Sequence, residues 1–239
     1  RNLDARERRL GMELAFGSIR RKKTLDWCIA RAAGRSMQDV DPLAHSLLRI
    51  STYQLLFMSR IPAHAAVSEA VESARRLGHP GMAGFVNAVL RRIASPRFDP
   101  GFPDLADDPV KSLAVTLSYP EWLVESWIGE FGPETAKRML EAGNQAPTVV
   151  LRANTLRVSR DELAEQLGNV ADAGAVTQRG LYAPEALRIM GPLESVESLP
   201  GFAEGLFSVQ DESSMLVAHV LGRPNDRPNL IIDACAAPG

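Results

Sequence analysis

The residues with the most chemical promise lie at 229–239. Asn229-Leu230-Ile231-Ile232-Asp233 reads as a buried strand, and it runs into a turn of small residues, Ala234-Cys235-Ala236-Ala237-Pro238-Gly239. Small side chains let backbone N–H groups approach a ligand closely, and a helix after such a turn adds the positive end of its dipole. An ordinary strand-to-helix turn has the same composition, so on these residues alone a ligand loop and a plain turn both stand. Cys235 adds a thiol, and Cys28 is the only other cysteine. Two cysteines form neither a disulfide framework nor a zinc site, which suits a reducing cytoplasm. His45, His64, His79 and His219 lack metal-ligand spacing, so no metal is expected. Glu69 and Glu72 have no matching partner for acid–base work.

A second chemistry is written in charge. Residues 1–98 hold 17 Lys and Arg against 8 Asp and Glu, a surplus of nine, whereas the remainder holds 10 against 21. A surplus of that size on a small domain is a footprint for a polyanion, and the acidic remainder should not hold nucleic acid by itself. The candidates for RNA contact are Arg6, Arg8 and Arg9 on a first helix, then Arg20, Arg21, Lys22 and Lys23 after it. Arg91, Arg92 and Arg97 follow near the last helix of the basic region, and Arg152 with Asn154 comes further on. Guanidinium groups fork onto phosphate oxygens, which makes Arg more telling than charge alone. The plainer reading is a solvated surface whose arginines pair with Asp4, Glu7 and Glu13.

These side chains need elements to hold them. Apolar spacing predicts five helices before residue 95. They carry Leu10, Leu14, Phe16 and Ile19; then Leu25, Trp27 and Ile29; then Leu43 to Phe57; then His64 to Leu77; then Phe85 to Ile93. Pro62 and the run Gly78-His79-Pro80-Gly81 separate the later ones, giving a mainly α bundle. Residues 95–109, rich in Pro, Gly and Asp, have the composition of a linker and coincide with the charge reversal. Two helices follow, one with Trp122, Leu123, Trp127 and Ile128 and one from Pro133 to Ala142. The three tryptophans sit on apolar faces and read as core. Thr148 to Arg152 is β-prone, Ser159 with Glu162 forms a capping box, and Asp211 precedes a helix through Leu221 that Gly222 ends. The expected order is a helical bundle over 1–98, a linker and helical connector over 99–147, a small α+β domain over 148–205, and over 206–239 the start of an α/β domain. One parallel strand cannot complete an open sheet, so these residues read as a piece of a larger fold. No run of eighteen apolar residues and no secretory leader is present, so a cytoplasmic location without a membrane span is expected.

Several motifs carry a family resemblance. Leu48 through Leu56, Ile61-Pro62, Val67 through Glu72 and Phe85 through Leu90 are similar to the NusB-like helical domain. That resemblance implies RNA binding or docking on a protein partner. Tyr119-Pro120-Glu121-Trp122-Leu123, Leu151 through Thr155, Leu199-Pro200-Gly201-Phe202 and Val209 through Ser214 resemble, in order, landmarks of the RsmB (Sun/Fmu) type of ribosomal RNA cytosine-C5 methyltransferases. Asp233 through Gly239 resembles the first methyltransferase motif of that family.

The resemblance implies a class I methyltransferase domain, truncated here, with S-adenosylmethionine as cofactor held in part by Cys235, Ala236, Ala237, Pro238 and Gly239. It implies 16S ribosomal RNA of the small subunit as substrate. In this family a cysteine thiolate adds to C6 of cytosine so that C5 takes the methyl group, and a second cysteine resolves the adduct. Both cysteines belong to later motifs that these 239 residues lack, so Cys235 is not the nucleophile, no catalytic residue is assigned, and the piece alone is expected to be inactive. The competing expectation is a NusB-like RNA- or protein-binding module that is no enzyme.

Overall fold

The computed structural model describes residues 4–145, 147–168, 176–191, 193, 195–221, 232 and 234. The chain divides into two compact units, Arg1–Gln145 and Ala146–Gly239.

Unit 1 is all-helical among its described residues: α1 Ala5–Arg20, α2 Lys22–Ala33, a short 3-10 turn Met37–Asp39, α3 Pro42–Phe57, α4 Ala63–Leu77, α5 Met82–Ile93, α6 Pro109–Thr116, α7 Glu121–Phe131 and α8 Pro133–Gly143. The boundaries follow local chemistry. Asp4 and Glu7 cap α1 reciprocally through each other's backbone N–H. Asp41 Oδ1 accepts from the N–H groups of Leu43 and Ala44, with Pro42 at the first helical position. Gly34 closes α2 at a φ of +66°, a left-handed conformation that favours glycine. The core of α2, α3 and α5 is Leu25, Ile29, Leu48, Val86 and Leu90, all fully buried.

α1 departs from a simple amphipathic helix. Leu10, Phe16 and Ile19 are 43%, 59% and 70% exposed. Its packed side is instead Leu14, Gly17 and Ser18, and at Gly17 the Tyr53 ring comes so close that an added Cβ would lie 2.1 Å from Cζ. The tryptophans also differ from the core reading. Trp127 packs beside Leu113, Val124 and Leu140, but Trp122 is 69% exposed because it lies two residues before Val124, about 200° around α7 from the packed face. Trp27 is half-buried and donates its indole N–H to the Pro100 carbonyl at 2.9 Å.

The Pro, Gly and Asp stretch after residue 95 does not part the molecule. Thr24 Oγ1 of α2 donates to the Val115 carbonyl of α6 at 2.6 Å. Ser118 Oγ accepts from the Lys23 N–H at 2.8 Å, which satisfies a first-turn donor that α2's own N-cap leaves free. Residues 99–145, read from composition as linker and connector, therefore pack within the same unit as the bundle.

Unit 2 has β1 Val149–Ala153, α9 Arg160–Gly168, β2 Val176–Arg179, β3 Ala186–Met190, β4 Phe207–Val209 and α10 Glu212–Leu221. Its sheet runs β2-β3-β1-β4 with every pairing antiparallel, and the register sets Leu151 opposite Leu187 and Val209. Leu151, Leu187 and Ile189 meet Leu163 and Leu167 of α9, while Val150 and Ala186 turn the other way to Met215 of α10. The capping box at Ser159 and Glu162 forms as its spacing predicts, with Ser159 N–H donating to Glu162 at 2.9 Å and Glu162 N–H to Ser159 Oγ at 3.2 Å. β4 pairs with β1, so the small sheet extends past the boundary expected at 205. Of the strand expected at 229–233 only Ile232 is described, and it is 78% exposed.

Candidate nucleic-acid interface

The basic residues of unit 1 fall into three settings. Arg6, Arg8 and Arg9 are exposed on the first turns of α1 and form no ion pair among the described residues. The carboxylates that could neutralise them are occupied: Asp4 and Glu7 cap the helix, and Glu13 accepts a short hydrogen bond from the Tyr53 hydroxyl.

The α1–α2 junction is different, because three of its four cations already have intramolecular partners. The Arg21 guanidinium lies 4.9 Å from the centroid of the Phe57 ring, and burial pulls its pKa below the ordinary arginine value. Lys22 pairs with Asp26 at 3.2 Å and Lys23 with Glu121 at 2.7 Å. Arg20 alone of the four is exposed without an ion pair among the described residues.

The third setting gathers residues far apart in sequence. Arg91 and Arg92 are neighbours on α5 but face different clefts. Arg91 donates to Asn87 Oδ1 at 3.1 Å and lines a groove between α4 and α5 with His64 and Arg75. Arg92 donates to the Ala32 carbonyl at 3.2 Å, at the negative end of α2, and enters a recess of about 510 Å³ with Arg31, Arg97, Phe98 and Asp99. Asp99, the carboxylate in that recess, accepts from the Gly101 N–H at 2.8 Å. Arg31 also borders a second recess of about 390 Å³ shared with Trp27 and Arg35. Sequence reading missed Arg31 and Arg35, which stand on either side of the left-handed Gly34 that ends α2 and come together only through that turn.

In unit 2, Arg152 belongs to an internal polar network. It donates to Gln210 Oε1 at 3.2 Å and lies 3.7 Å from buried Glu185, which His219 of α10 also meets at 2.9 Å. Burial pushes the Glu185 carboxyl up, yet its own backbone N–H, His219 and Arg152 outweigh burial and hold it below the ordinary range. Asn154 Nδ2 donates to the Gly205 carbonyl at 2.9 Å, so it serves a turn.

Cys235, Ala236, Ala237, Pro238 and Gly239, expected around a cofactor, lie outside the described residues. Cys28 is buried at 1% exposure, and burial pushes its thiol up to about 11, which keeps it protonated and unreactive near neutrality.

Comparison with known proteins finds two family matches along the chain, the second of which crosses the division between the units. Residues 1–95 match the NusB family, and residues 119–196 match the Methyltr_RsmF/B-like, ferredoxin-like domain. The chain joins a NusB domain to an RsmF/B ferredoxin-like domain. It is 38% identical over 237 residues to a Bacillus subtilis protein named "Probable ribosomal RNA small subunit methyltransferase B", covering 99% of this chain and 51% of that protein. It is 37% identical over 238 residues to the Pseudomonas putida "Ribosomal RNA small subunit methyltransferase B", again covering 99% and 51%. The chain thus spans about half the length of the curated relatives it matches. The crystal structure of PH0851 shares the fold, with a TM-score of 0.66 at 22% identity over 91% of this chain and 47% of that one. The recess straddles the end of the NusB match, with Arg31 and Arg92 inside it and Arg97 and Asp99 beyond. No described helix is long and apolar enough to cross a membrane.

Proposed function

We propose that this chain is the RNA-recognising N-terminal portion of an S-adenosylmethionine-dependent methyltransferase that modifies a cytosine at C5 in small-subunit 16S ribosomal RNA in the cytoplasm. The observation that carries this reading is the identity of 35–38% with proteins named for that RNA, sustained through both the NusB domain and the ferredoxin-like domain. S-adenosylmethionine would supply the methyl group, and the small-residue stretch Cys235 to Gly239 is the part of this chain suited to line its site. The task of the described residues is to hold RNA. The surplus of cations in residues 1–98 attracts the backbone, and unpaired arginines on α1 and in the α2–α5 recess can fork onto phosphates. Cys28 cannot replace the family nucleophile, since it is enclosed in the bundle with its proton retained.

The test has two arms. The 239-residue chain is titrated with a small-subunit ribosomal RNA stem-loop set across a salt series, and it is incubated with the same RNA and labelled S-adenosylmethionine. The expected result is salt-sensitive binding without methyl incorporation. Absence of binding at low salt overturns the recognition role, and incorporation by this chain overturns the division of labour.

A further inference from the structure

The geometry points to the recess formed by Arg31, Arg92 and Arg97, with the adjoining Trp27 recess, as a site for one nucleotide step of single-stranded RNA: phosphate among the guanidinium groups, base against the indole. This inference rests on the RNA-binding reading above and adds the place and the form of the ligand.

Three guanidinium groups share one recess there, and none has an ion-pair partner among the described residues. Gathering like charges in a concavity is unfavourable unless an anion joins them. The recess carboxylate, Asp99, accepts from the Gly101 N–H and can offset one of the three positive charges, which leaves an excess of cations for a further anion. One of the three is also held in place. Arg92 is tethered to the Ala32 carbonyl, which leaves the rest of its fork free. Arg31 lies against Gly101, where an added Cβ would come within 2.8 Å of its terminal nitrogen. Gly101 also takes a φ of +58°. A tethered fork such as that of Arg92 loses less freedom on meeting a phosphate than a mobile surface side chain does.

The aromatic neighbour distinguishes RNA from an acidic peptide. Arg31 belongs to both recesses, and the second contains Trp27 and Arg35. The Trp27 indole is fixed by its bond to the Pro100 carbonyl, and Arg35 is held over the Phe85 ring at 4.5 Å. A half-buried indole next to a cationic recess serves a stacked base, as single-stranded RNA recognition requires; a carboxylate-rich peptide has no use for it.

The experiment measures binding of the full 239-residue chain to a fluorescein-labelled single-stranded RNA of about ten nucleotides, a span typical of such sites. R31Q/R97Q is compared with R60Q/R76Q, which removes the same charge elsewhere on unit 1. The recess pair should weaken binding about tenfold or more at low salt and flatten the log K against log salt slope by roughly 1.4, about 0.7 per lost contact. R60Q/R76Q should move neither strongly. In a W122F/W127F chain, RNA should quench the remaining Trp27 emission; if loss of Trp127 unfolds its core, crosslinking of 5-iodouridine RNA to Trp27, mapped by mass spectrometry, takes its place. Wild-type affinity and slope in R31Q/R97Q, with RNA still bound salt-sensitively, overturn the recess while the RNA-binding function stands. Equal competition by polyglutamate without Trp27 quenching assigns the recess to acidic protein and overturns the nucleotide. No RNA binding by the wild-type chain overturns both readings.

Discussion

Arg49 grips Asp26 through both arms of its fork, with Nε 2.6 Å from Oδ1 and a terminal nitrogen 2.7 Å from Oδ2. His45 adds a contact at 2.9 Å and Lys22 another at 3.2 Å, so a single carboxylate on α2 holds three side chains from two helices. Burial raises the Asp26 pKa, but the bonds from Arg49, His45 and Lys22 outweigh it and the carboxyl titrates below its ordinary value. A carboxyl lowered on folding stabilises above its unfolded pKa near 4, and that contribution is lost as pH falls through the folded value. D26N should cost about 2 to 3 kcal/mol at neutral pH, as for charge-assisted bonds at a partly buried carboxylate. Denaturant unfolding at about pH 7 and about pH 3 checks the sign: the gap between wild type and D26N should narrow at the lower pH.

At Gly17 the usual helix rule should reverse. Replacing a helical glycine by alanine ordinarily stabilises by about 0.5 to 1 kcal/mol. Here the new methyl would collide with the Tyr53 ring, so G17A should destabilise by about 1 to 3 kcal/mol and increase hydrogen exchange along α1. A more stable G17A would mean that α1 does not sit on α3 as described.

Tyr53 offers a spectroscopic check on the same contact. Burial first, then the bond to Glu13, raises its phenol to about 12. Ultraviolet titration should show one of the three tyrosines ionising later than the others, and E13Q should bring that step down.

Cys28 should resist alkylation in the native state. With its thiol raised to about 11 by burial, iodoacetamide at mildly alkaline pH should label it only after denaturant is added, as peptide mass spectrometry would show.

The network at Glu185 makes the docking of α10 sensitive to acid. Glu185 is held below its ordinary value by His219 and Arg152 despite burial, so its contribution is present above the carboxylate range and fades as pH falls through it. E185Q should cost about 1 to 3 kcal/mol and raise exchange in α10 at neutral pH. If α10 exchanges at the wild-type rate, the ladder of Arg152, Glu185 and His219 does not anchor it.

The helices were legible because their signals are local. Pro62 between α3 and α4, the run from Gly78 to Gly81 between α4 and α5, and the Ser159–Glu162 box each lie within a few residues of the ends they define. The NusB match ends at residue 95, close to the boundary read at 98, but the packing that carries the compact unit on to Gln145 is not legible, because turn chemistry looks alike between domains and within one. Asp99 capping Gly101 and Asp104 capping Ala106 write the same residues either way. The arginine recess was only half visible. Arg92 stands out in its doublet, but its grouping with Arg31 and Arg97 depends on α2 packing against α5, a long-range contact that no spacing records.

The bond from the Lys23 N–H to Ser118 Oγ ties the beginning of α2 to a residue synthesised long after it. On a chain growing on the ribosome, that first-turn donor meets only water until α6 and Ser118 have emerged. The match to a known family ends near residue 95, whereas the compact unit that this bond helps to close extends to Gln145.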